Sequence, residues 1–231
     1  MAEAKKSNGG KPNGGKDNFT RNLVVAVVVG VALIMLVPTV LSNRGDSTAA
    51  IPASSSAEDR YGIVFNKELT GVPVIEIYED FQCPACARFE AINGAYIEEL
   101  IATKKAKVVF HTLSFLGGDS QLAANAAACS ADQGKFLSFH KTLYANQPAE
   151  NGGTWNSQFF AALGIGLGIS SSDYDKCVQD QDYMGWVKNV AEEGSKRNIN
   201  STPTVLINGQ EIDRNTAYGS LADFMLAVEK A

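Results

Sequence analysis

The chain has 231 residues, 45% of them hydrophobic, and a formal net charge of −5. That length and composition suit one globular core with room for an inserted subdomain, and they exclude a disordered or fibrous protein. Lys5, Lys6, Lys11, Lys16 and Arg21 outweigh Glu3 and Asp17 in the first 22 residues, which leaves the remainder near −8 and excludes a nucleic-acid footprint.

Residues 1–22 form a basic tail rich in Gly, Asn and Lys. The run "LVVAVVVGVALIMLVPTVL", Leu23 to Leu41, is 19 residues without a charge, the length of a single membrane-crossing helix. The basic flank precedes it, so the N-terminus is expected in the cytoplasm and everything after Leu41 outside. A cleaved export signal, processed among the small residues of "STAAIPASSSA", is the alternative, and it too exports the rest of the chain. Residues 42–60 are Ser-, Ala- and Pro-rich and read as a flexible tether. The "RGD" at Arg44 to Asp46 is a chance triplet.

From Tyr61 the pattern turns globular. A short strand is expected at Gly62 to Asn66, then a central strand at Val74 to Tyr78, β-branched and nearly all apolar. From Cys83 to Ala102 the residues Phe89, Ile92, Tyr96, Ile97, Leu100 and Ile101 recur at helical spacing, and Pro84 suits a first helical turn. Lys107 to Phe115 reads as a second strand of a βαβ unit. Ser120 to Tyr144 is helical with a break near Gly134, and further helices start at Thr154 and at Ser172-Asp173. Thr202 to Gly209 returns to strand, Asn208-Gly209 turns it into "QEID", and a helix at about Ser220 to Lys230 closes the chain. The fold class is therefore α/β, with a helical block of some 80 residues inside it.

Cys83-Pro84-Ala85-Cys86 opens the first helix, and Thr202-Pro203-Thr204 enters a strand after the helical block. In this order, with "DFQCPAC", "STPTVLINGQ" and more weakly "QGKFLSFHKTLYANQP", the chain from Tyr61 to its end resembles the DsbA-like thiol:disulfide oxidoreductases. The resemblance implies a thioredoxin-like fold over 61–231 with an all-helical insertion at about 120–197, and the N-terminal anchor is similar to the membrane-tethered versions. It implies no cofactor or metal. It implies reduced exported proteins as clients, a quinone-linked membrane re-oxidase (DsbB-like or VKOR-like) as partner, and a monomer held at the cell membrane with its catalytic domain outside.

The residues support that chemistry on their own terms. A cysteine at a helix N-terminus faces free N–H groups and the positive end of the helix dipole, so the Cys83 thiolate is favoured and makes a good leaving group. Cys86, one turn in, is expected to be buried and to close the disulfide. In the family's pattern Pro203 is a cis proline facing the cysteines, and Thr202, with Pro84 and Ala85, would present backbone to an extended client. Ala85 stands where many strongly oxidising relatives have histidine, so a milder oxidant is expected. Relatives often carry a Glu six residues before the first cysteine; that position is Ile77 here, and Glu76 is the candidate for proton handling.

Cys129 and Cys177 complete an even count in an exported domain and are expected to pair as a structural disulfide, worth about 4 kcal/mol on the chain-entropy view. A four-thiolate zinc site would need a second short-spaced pair. His111 and His140 read as packing or surface residues, and Gly164 to Gly168 follows a helix and so is no nucleotide loop. Trp155, Phe159, Phe160 and Trp186 are expected to fill the core. Other readings of the whole are an exported reductase or isomerase, or a non-catalytic binding or chaperone module whose cysteines are structural.

Overall fold

The computed structural model describes residues 49–231. Five strands form one sheet in the order β1-β3-β2-β4-β5: β1 Ile63–Phe65, β2 Val74–Asp80, β3 Lys107–Leu113, β4 Thr204–Ile207 and β5 Gln210–Glu211. β2 and β3 are parallel, joined by α1 (Pro84–Ala102), and every other pairing is antiparallel. The nearly apolar stretch Val74 to Tyr78 is explained by its place: β2 is the middle strand, paired on both edges, and six of its seven residues are buried.

Between β3 and β4 lie five helices: α2 Gly118–Asp132, α3 Phe136–Ala145, α4 Ser157–Gly166, α5 Ser172–Asp180 and α6 Met184–Lys196. Phe139, Phe160, Tyr174 and Trp155 pack as an aromatic cluster within this block, and Trp186 is fully buried on α6. Phe159 is only partly buried beside them. Cys129 on α2 and Cys177 on α5 are joined as a disulfide. The last helix, α7 (Leu221–Glu229), sets Phe224 edge-on to Phe89 of α1. This is the thioredoxin-like α/β arrangement with inserted helices.

Local chemistry moves several expected boundaries. α4 begins after Asn156, whose side chain accepts from the Phe159 N–H, so that residue and not Thr154 caps the helix. Ser171 does the same for α5. The Asn208-Gly209 turn forms as expected, because both residues hold the positive φ that a two-residue hairpin demands.

The tether expected to reach residue 60 is docked from Pro52 onward. Val64 N–H donates to Ser54, Ser55 bridges Ile63 of β1, and the Trp186 indole N–H donates to Ser55 and to the Tyr61 carbonyl. Asp59 pairs with Lys67 and Lys107, so a polar, Ser-rich stretch is ordered by hydrogen bonds it makes to the domain. The apolar run Leu23–Leu41 lies outside the described residues. Among those described, no helix is long and apolar enough to cross a membrane.

Candidate active site

β2 delivers the chain to α1 through a three-residue turn, Phe81 to Cys83. Asp80 fixes that turn. Its buried carboxylate accepts from the Gln82 N–H, the Leu116 N–H and the Ser120 hydroxyl, and its carbonyl accepts from the Cys83 N–H. Gln147, just beyond α3, donates to the carbonyls of Phe81 and Cys83 at 2.7 and 3.1 Å. The turn is thus held from both sides by groups far away in sequence.

Cys83 is the N-cap of α1, with Pro84 in the first turn. Its sulfur accepts from the Cys86 N–H at 3.4 Å and lies 3.4 Å from the Thr202 carbonyl. A hydrogen bond from the Cys86 thiol, outweighing the upward push of burial and helped by Thr202 and the N–H groups of Cys86 and Ala85, holds the Cys83 thiol down to about 6. Cys86 is fully buried, and burial, the Cys83 hydrogen bond and the Glu79 carboxylate push its thiol far above the ordinary range. One sulfur is therefore primed as a thiolate and its neighbour is held as a thiol.

Pro203 is buried and follows a cis peptide bond from Thr202, whose carbonyl faces the Cys83 sulfur. Pro84 and Ala85 are exposed. Ala85, Arg88, Phe89, Pro203, Arg214 and Tyr218 line a cleft of about 240 Å³ next to Cys83.

Glu76 is not beneath the cysteines. Strand alternation puts it on the β2 face shared with Tyr78, where it accepts from Arg197 at 2.6 Å and Arg60 at 3.1 Å, with His111 at 3.6 Å. Burial pushes Glu76 up, but His111 and Arg197 prevail and hold it at about 2, so it keeps its charge and pairs. The acid on the cysteine side of β2 is Glu79, fully buried and in contact with His140 of α3. Glu90 of α1 joins them: one ligand-type atom from each of Glu79, Glu90 and His140 lies within 4.8 Å of the other two. Burial opposes charge on His140, yet Glu79 and Glu90 raise its basicity above the ordinary value.

Neither histidine is a surface residue. His111 is stacked on Tyr78 at 4.1 Å, and His140 is buried among Phe81, Phe110 and Tyr144. The sequence offered one signal for His140: the "KFLSFHKTLY" stretch places it on the same helix face as Phe136 and Tyr144, which α3 buries.

The family model described as Thioredoxin matches residues 70–225. "Na(+)/H(+) antiporter NhaA 1" of Mycobacterium sp. (strain KMS) is 28% identical over 59% of this chain, which spans only 22% of that protein's length. "Probable disulfide bond formation protein D" of Bacillus cereus is 23% identical, with 81% of this chain and 88% of that one covered. The solved MdbA protein, a thiol-disulfide oxidoreductase from Actinomyces oris, superposes with a TM-score of 0.68 at 23% identity, over 80% of this chain and 91% of that one.

Proposed function

Since this chain belongs to the thioredoxin family and is DsbA-like, we propose that it oxidises client cysteines to disulfides outside the cytoplasmic membrane, through Cys83 and Cys86. The observation that carries the reading is the asymmetry of the pair. Cys83 caps a helix and is held down to about 6, whereas Cys86 is buried and held as a thiol.

In the oxidised protein the two sulfurs are bonded to each other. A client thiolate attacks Cys83 Sγ, forming a client–Cys83 disulfide and releasing the Cys86 thiolate, which takes up a proton. The client's second thiolate then attacks its own sulfur in that mixed disulfide, and Cys83 leaves as a thiolate. The client has lost two electrons and the pair has gained them. Thr202 and Pro203 offer backbone to the client as one strand edge to another. Cys129 and Cys177 take no part and serve as a structural bond. A quinone-linked membrane enzyme of DsbB-like or VKOR-like chemistry returns the pair to the disulfide. The apolar run at 23–41 serves as the anchor that keeps the domain at the membrane surface, on the outer side, as the basic first 22 residues favour.

The test is capture. Cys86→Ala should accumulate mixed disulfides through Cys83 in thiol-trapped cells, and a reduction potential well above about −300 mV should separate an exchanging pair from a structural one. Cycling of the wild-type pair without any captured client would sink the oxidase reading.

A further inference from the structure

The cluster beneath Cys86 contains more acceptors than its own hydrogen bonds satisfy. Glu79 is fully buried; one of its oxygens contacts His140 and the other, Oε2, has no partner. Glu90 is partly exposed as a residue, but its Oε1 is shielded from solvent and has no partner either. The Tyr144 hydroxyl, on a residue only 7% exposed, is the third buried oxygen without one; the Tyr144 ring packs edge-on to His140 with centroids 5.0 Å apart and lines one cleft with Glu90. Three orphaned oxygens in one cluster are rare in a folded interior, because each buried polar atom without a partner keeps its desolvation cost. The His140 contact satisfies one oxygen of Glu79 and leaves its Oε2 and the tyrosine hydroxyl unpaired.

From these atoms we propose a binding site for one divalent transition-metal ion of the zinc type, held by His140 Nε2 and by one carboxylate oxygen each of Glu79 and Glu90. Two carboxylates and a neutral imidazole neutralise a doubly charged ion in a buried place. One imidazole with two carboxylates is a zinc-type donor set, whereas calcium and magnesium favour oxygen alone. Three protein ligands leave a fourth position for water, which can bond the Tyr144 hydroxyl. An entry path exists: a cleft of about 230 Å³ between α1 and α3, lined by Ala87, Glu90, Ala91, Gly94 and Tyr144, opens past the exposed Lys141–Glu98 pair.

Gly94 makes the arrangement possible. It sits in the middle of α1, where glycine is less favourable than alanine, and a Cβ there would meet Glu90 Oε2 at 2.6 Å. The missing methyl is the space into which the carboxylate folds. The chain as a whole has two histidines, so few other imidazoles compete for zinc.

The experiment titrates the full-length chain, its Cys83–Cys86 pair oxidised so that no thiolate competes, with Zn2+ alone by calorimetry, and counts ions by native mass spectrometry. One Zn2+ per chain is expected. Glu90→Gln should weaken binding by at least about tenfold. Gly94→Ala deletes no ligand and favours the helix, yet should weaken binding similarly by displacing Glu90, in a chain whose circular dichroism is unchanged. Absence of binding to the oxidised chain, binding that appears only on reduction, or an affinity that both folded variants leave intact would overturn the site.

Discussion

Cys83 draws its acidity from its partner cysteine, from Thr202 and from the N–H groups of Cys86 and Ala85, and nothing comes from the Ala85 side chain, which has no group to offer. Ala85→His would add a donor next to the thiolate. The variant should titrate below about 6 by thiolate absorbance, and each unit of downward shift corresponds to about 1.4 kcal/mol and, if it acts on the reduced form alone, to a potential about 30 mV higher. The wild-type pair should react with iodoacetamide at a rate that rises through about pH 6 and levels above it, since the thiolate is the nucleophile. At this scale the sequence was partly readable. Cys83 and Cys86 are legible from their spacing, and Pro203 from the resemblance that "STPTVLINGQ" carries. Glu79 and His140 do not: alternation separates Glu76 from Glu79, but only the return of α3 across the end of β2 decides which face meets the cysteines.

Between elements, Glu76 acts as a tie. It joins the centre of β2 to Arg197 at the end of α6 and to Arg60 in the segment before β1. Its folded value of about 2 lies below the ordinary 4.5, so its contribution is fully present above pH 4.5 and disappears as the pH falls towards 2. Denaturant titrations over that range should show wild-type stability falling by up to about 3 kcal/mol from this group. Glu76→Gln should be less stable at neutral pH and should lose most of that acid slope. The order of strands and helices was legible because each element carries its own period and caps: Pro84 opens α1, Asn208-Gly209 turns β4, and Ser220 starts α7. The docking of Pro52 to Arg60 was not, since its composition is that of a tether and its order comes from Ile63, Trp186 and two lysines elsewhere.

For the molecule as a whole, the disulfide between α2 and α5 staples the first helix of the inserted block to its fourth across 48 residues. Replacing Cys129 and Cys177 together by alanine should lower stability by about 4 kcal/mol on the chain-entropy view, read from urea midpoints. Thiol exchange at Cys83 should persist in the fraction that stays folded, because neither residue touches the redox pair. The pairing was inferable by counting, whereas the packing of this block against the sheet was not, because aromatic residues such as Phe139 and Trp155 signal burial without naming their partners.

His140, Tyr144 and Gln147 follow one another at helical spacing along α3 and just past its end. The first faces Glu79, the second packs edge-on to that histidine, and the third grips the carbonyls of Phe81 and Cys83. The inserted helices therefore build the floor on which the thiol pair stands. A shortened chain that spliced β3 straight to β4 would keep the sheet and both cysteines, yet it would open Cys86 to water and free the turn that aims Cys83. What looks from the topology like an optional extra is the wall between this chemistry and the solvent.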